Sequence, residues 1–231
     1  MEMDRRTALL SAQKIRLMRN GNIVMLISLA MILFNAVFAV VIALSNPVVF
    51  ILRGGMEMIA VFMLISAIAA IVGAIIYLVG LYGLRDIRPE YRNAFLWEIG
   101  LFIFGIVISA IGKEMFFGKV LDAVRTILSL VVAWLVIKGT GCLMESLQRE
   151  DILHRGEFVW RLTAVSSILG TVYGLIPTGN QMGPRLITLL VIGVILAVFA
   201  FVAAIYYVNY LGQAAKALDQ IGGTMEEAPP L

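Results

Sequence analysis

The sequence is divided by long stretches that carry no charge. Between Arg19 and Arg53 lie 33 uncharged residues, between Glu57 and Arg85 there are 27, between Arg161 and Arg185 there are 23, and between Arg185 and Lys216 there are 30. Each is longer than the roughly 20 residues an α-helix needs to cross a bilayer. Charge is an apt ruler, because an ionised side chain at the bilayer centre costs about 2.5–3.5 kcal/mol on insertion scales. Four membrane spans follow directly.

The middle of the chain is less clean. Glu98 to Lys113 leaves 14 uncharged residues and Arg125 to Lys138 leaves 12. Their charges sit near the ends of the apolar runs, where long side chains reach the headgroups. These segments therefore read as spans as well, with a re-entrant pair as the alternative. The fold class expected is all-α, a six-helix integral membrane bundle with spans at about 22–44, 57–83, 93–112, 121–143, 158–176 and 185–211. Composition agrees: 61% of residues are hydrophobic, 14% are charged, and mean hydropathy is +0.97. A water-soluble domain, with about 25% charged residues, covers itself with polar surface that this chain lacks.

Breakers fall between the spans at Ser45-Asn46-Pro47, Arg88-Pro89 and Pro177-Thr178-Gly179-Asn180. Residues 1–21 read as a basic N-terminal segment, either an interfacial helix over 3–18 or a solvated arm. Residues 213–231 read as a C-terminal tail, without apolar periodicity from Gly222 onward. About 20 polar residues precede the first apolar run, which no small-residue cleavage site closes, so the first span is expected to be retained.

Lysine and arginine set the orientation. Twelve lie before the first span, in the second and fourth connections or after the last span, against four in the other connections. By the positive-inside rule the protein is expected in the cell membrane with both termini cytoplasmic. The net charge of +3 belongs to these flanks rather than to a face on a soluble module, so no nucleic-acid partner is expected. Membrane lipid is.

Three hairpins of like orientation emerge, and two of their entrances, Phe95-Leu96-Trp97 and Phe158-Val159-Trp160, are alike. So are two exits, Ile76-Tyr77 with Gly83 and Ile205-Tyr206 with Gly212. A threefold duplication would repeat one topology, unlike the inverted repeats common in secondary transporters.

Chemistry concentrates in the middle hairpin, where Glu98, Asp122, Arg125 and Lys138 lie in or near hydrocarbon. Glu98 with Lys138 or Arg161 is the expected ion pair, and Asp122 with Arg125 share a helix face at i,i+3. Together with Asn35, which falls mid-span, Glu98, Arg125 and Lys138 form the candidate polar site. The plainer alternative is a set of snorkelling charges and one positioning ion pair, with Asn35 bonded to a neighbouring helix. Small residues at spacing four, Ser66, Ala70 and Ala74, then Gly170 and Gly174, mark candidate helix-packing faces. Those faces leave room for a homo-oligomer or a partner membrane subunit.

Tyr206, Tyr207 and Tyr210 read as an interfacial aromatic anchor. His154 is the sole histidine and Cys142 the sole cysteine. No zinc-ligand pair, phosphate-binding glycine loop or nucleophile elbow occurs, so neither metal nor cofactor nor enzymatic activity is expected. The leading expectation is a solute transporter or the membrane subunit of a transport complex. A non-transporting interaction or assembly protein is second, and a lipid-acting membrane enzyme third.

Overall fold

The computed structural model describes residues 5–45, 55–111, 116–176 and 184–224. Six helices make up this part of the chain: α1 (Arg5–Ser45), α2 (Gly55–Leu84), α3 (Pro89–Ile111), α4 (Phe116–Ser146), α5 (Glu150–Leu175) and α6 (Pro184–Thr224). No strand occurs among the described residues. All six are long and apolar enough to span a membrane, so the protein is a multi-pass membrane bundle. The breakers Asn46-Pro47 and Pro177-Thr178-Gly179-Asn180 lie outside the described residues, as do residues 225–231.

Local signals explain the boundaries. Pro89 and Pro184 each open a helix, where the missing N–H costs nothing and φ is already suitable. At the end of α4 the chain turns through Gln148, whose φ of 54° is left-handed. The Arg149 N–H bonds the Met144 carbonyl at 3.0 Å and the Gln148 N–H bonds that of Glu145 at 3.0 Å. That is a Schellman cap, and it redirects the chain into α5 within three residues.

Each helix packs against its chain neighbours, and α1 also packs against α6, closing an antiparallel ring. An even number of helices brings Arg5 and Thr224 to one end, here termed the terminal end; the opposite end is termed distal. The tightest seam lies between α1 and α2. There Lys14, Gly21, Ser28 and Asn35 recur every seven residues along α1, facing Gly80, Gly73 and Ser66 at the same spacing on α2. A Cβ on Gly73 would stand 2.8 Å from the Gly21 carbonyl oxygen and 2.9 Å from the Met25 nitrogen. The two backbones are in contact, and Ser28 Oγ donates to the Ser66 carbonyl at 2.6 Å. Close approach of this kind gives van der Waals contact without help from water, the force available to helices in lipid.

The fully buried side chains crowd the terminal end. Ala8, Ala12, Ile15 and Met18 of α1 meet Leu81 and Leu84 of α2, and Ala214, Ala215 and Leu218 of α6. Distal halves instead expose their apolar residues, among them Phe34, Leu64, Phe102 and Ile195. Lipid accepts that surface as readily as a protein core does.

The first and last helices run past the segment boundaries expected from sequence. Residues 5–21 form the first turns of α1, which runs unbroken into the bundle. Ala8, Ala12, Ile15 and Met18 recur at helical spacing and pack inward, while Lys14 lays its carbon stem on Gly83 and Arg19 lays its own on Gly212. Residues 213–224 likewise continue α6, and Asp219 pairs with Arg16 across the two helices. At 41 residues each, α1 and α6 reach about 60 Å, twice a hydrocarbon core of about 30 Å.

Candidate functional site

The ring is filled near its terminal end by tyrosines. The hydroxyls of Tyr77 on α2 and Tyr207 on α6 approach one another, bringing together two helices that are not chain neighbours. One layer further toward the terminal end, the hydroxyls of Tyr91 on α3 and Thr140 on α4 are 2.8 Å apart. Thr140 spends its only hydrogen on the Val136 carbonyl at 2.9 Å, so Tyr91 is the donor in that pair. Tyr210 donates to the Ile137 carbonyl at 3.3 Å. Phenols suit this position because a buried ring fills the ring's centre and its single hydroxyl is satisfied by one neighbour. Of the three tyrosines expected as an interfacial anchor, only Tyr206 faces outward, edge-on to Phe158 at 5.6 Å. Tyr207 and Tyr210 turn inward.

Glu98 adjoins this layer. On α3 the positions Tyr91, Ala94, Glu98, Leu101, Gly105 and Ile108 alternate in steps of three and four and form one inward seam. The half-buried Glu98 acts electrostatically on Tyr77 and Tyr207, and Arg125 of α4 is the cation whose field reaches it. Arg125 lays its guanidinium against α3 at Gly105, where a Cβ would be 3.0 Å from Cζ. The absence of a side chain at 105 is what admits it.

Lys138 stands apart from this group. It lies 13 residues from Arg125, which rotates it about 220° around α4 at 100° per residue. The ammonium instead sits 4.9 Å from the Trp134 ring centroid, on an exposed groove shared with Arg161 of α5. No ion pair joins Glu98 to Lys138 or Arg161 among the described residues. Asn35 is 5% exposed on the α1 seam, and its amide nitrogen has no acceptor among the described residues.

The distal half holds a cleft of about 340 Å³ between α4, α5 and α6. Lys119, Asp122 and Thr126 line it from α4, and Ser166, Ser167, Gly170, Thr171 and Gly174 from α5, with Ala200 of α6 behind. Thr126 donates to the Asp122 carbonyl at 3.0 Å and Thr171 to that of Ser167 at 2.8 Å. Bonding back to their own helix satisfies their hydrogens and leaves oxygen lone pairs for a guest. The inward seam of α5, Ile152, Val159 and Ser166, is buried up to this level and then opens. A Cβ on Gly170 or Gly174 would meet nothing within 4 Å. The two glycines border space rather than another helix.

Ser66 does lie on a packing seam, whereas Ala70 and Ala74 are half-buried beside it and the close approach belongs to Gly73 and Gly80. His154 is exposed, and the described residues contain no cluster of potential metal ligands. Comparison with family models, with curated proteins and with solved structures finds no match to this chain.

Proposed function

We propose that this membrane protein moves, or helps to move, a small polar solute. The distal cleft is its binding site, and Glu98 with Tyr77 and Tyr207 forms the constriction beneath it. The observation that carries this reading is a hydroxyl-lined cavity, walled by glycines that no helix covers, in a bundle whose outer surface is apolar. Polar groups are rare inside membranes and gather where a cavity or pathway needs them. A volume of about 340 Å³ sits at the small end of ligand sites, and such sites combine a few polar groups with apolar walls. With the cationic flanks on the cytoplasmic side, the cleft opens away from the cytoplasm.

The test uses the single native cysteine. In a Cys142→Ser background, cysteines placed at Thr126, Ser167 and Thr171 are expected to react with a membrane-impermeant maleimide added to the non-cytoplasmic face of sealed vesicles. Osmotic swelling of proteoliposomes in glycerol and in glycine then reads solute entry. Unreactive cysteines, together with swelling no faster than that of empty liposomes, would remove the proposal.

A further inference from the structure

A second cavity, of about 400 Å³, lies between α4 and α5 near the terminal end. It is half open, and its lining includes Trp134, Lys138 and Glu145 of α4 with Glu157, Trp160 and Arg161 of α5. The proposed solute pathway uses none of these residues. Two cations and two carboxylates therefore share one groove on the lipid-facing side of the bundle, without an ion pair among them.

Their order along the helices is informative. Lys138 precedes Glu145 by seven residues on α4, and Arg161 follows Glu157 by four on α5. Because the helices run antiparallel, each cation lies deeper in the bundle than the carboxylate of its own helix. Glu145 stands beside the 147–149 connection, where water begins, whereas Glu157 lies further in, close to the level of Lys138. The offsets are about 10 Å and 6 Å along the axis at 1.5 Å per residue. Trp134 and Trp160 flank the same level, where indoles settle at the headgroup boundary. Deeper along the same faces, Ile127 and Val165 are exposed and apolar.

We propose that this groove binds one phospholipid whose headgroup carries a primary amine beyond its phosphate, of the phosphoethanolamine type. The phosphate sits between Lys138 and Arg161, the ammonium lies on the water side of it between the levels of Glu157 and Glu145, and the acyl chains run down past Ile127 and Val165. Charge order selects this occupant. An anionic headgroup without an amine satisfies the cations but faces two uncompensated carboxylates, a like-charge cost. A choline headgroup offers no N–H to the carboxylates, and an accessible aromatic face, which would suit it, is already taken on Trp134 by the Lys138 ammonium. Only a primary ammonium offers the carboxylates charge-assisted hydrogen bonds.

The experiment is native mass spectrometry of the detergent-solubilised full chain with equimolar phosphatidylethanolamine, phosphatidylcholine and phosphatidylglycerol of matched acyl chains. Wild type is expected to retain the ethanolamine lipid about fivefold to tenfold over the other two, the ratio that roughly 1–1.4 kcal/mol of discrimination produces. The Glu145→Gln/Glu157→Gln variant is expected to lose that preference while still binding phospholipid. Lys138→Met/Arg161→Met should lose retention of all three lipids, and Lys138→Arg/Arg161→Lys should restore it, which separates loss of charge from loss of fold. Equal retention of the three lipids by wild type, a preference for phosphatidylglycerol, or an unchanged preference in the glutamine variant would each overturn the assignment. Solute entry through the distal cleft is measured separately, so failure of one reading leaves the other standing.

Discussion

The Tyr91 hydroxyl donates to Thr140 Oγ1 across 2.8 Å, and both side chains are completely buried. Thr140→Val removes the acceptor and leaves a phenol stranded without water, which costs about 1–3 kcal/mol. Tyr91→Phe removes the donor while Thr140 keeps its own bond to Val136, a loss of about 0.5–1.5 kcal/mol. Adding Thr140→Val to Tyr91→Phe should then cost less than Thr140→Val costs alone. Thermal unfolding of the four proteins in one detergent checks the cycle, and strict additivity would disprove the pairing.

Backbone contact between α1 and α2 makes a sharp contrast between two glycines. Gly73→Ala places a methyl group 2.8 Å from the Gly21 carbonyl oxygen, so the helices must separate, at about 1–3 kcal/mol. Gly100 is also helical, but a Cβ there meets nothing within 4 Å, and Gly100→Ala should raise stability by about 0.5–1 kcal/mol through helix propensity. Opposite shifts in melting temperature are the expected result.

Gln148 occupies the left-handed corner of the α4–α5 turn with a φ of 54°. For a residue with a Cβ that conformation costs about 1 kcal/mol, which glycine avoids. Gln148→Gly is expected to be neutral to stabilising, whereas Gln148→Val, β-branched, should destabilise. Melting temperatures that fell alike in both variants would show that the turn imposes no such strain.

A Cβ at position 170 meets nothing within 4 Å, so Gly170→Leu extends into the distal cleft, whose wall includes Gly170. Solute entry should fall severalfold while thermal stability stays within about 0.5 kcal/mol, the range of substitutions that touch nothing. Gly73→Leu should instead lower stability itself. If both glycines behaved alike, the cleft would be ordinary packing surface.

Much of the fold was legible because lipid leaves a strong mark on sequence. The uncharged runs located six helices, including the two middle ones interrupted by charge near their ends. Depth proved readable and azimuth less so. Glu98, Lys138 and Arg161 were grouped by height alone, yet the rotation of about 220° between Arg125 and Lys138 follows from their spacing and separates the inward cation from the outward one. The four-residue rhythm of Ser66, Ala70 and Ala74 drew attention away from the seven-residue rhythm of Ser66, Gly73 and Gly80, which matches Gly21 and Ser28 on the facing helix. Gly170 and Gly174 have the spacing of a packing motif, but spacing cannot report whether a neighbour is there. The inward turn of Tyr207 and Tyr210 was hidden for a similar reason. An aromatic residue near a span end fits an interface or a core equally well, and only the partner across the ring decides between them.

Tyr77 and Tyr207 bring their hydroxyls together from the helices on either side of α1. In the proposed pathway these two rings stand between the distal cleft and the terminal end, so a guest in that cleft would leave by the mouth it entered unless they part. Under that proposal the separation of two phenols is the single small event on which passage would depend.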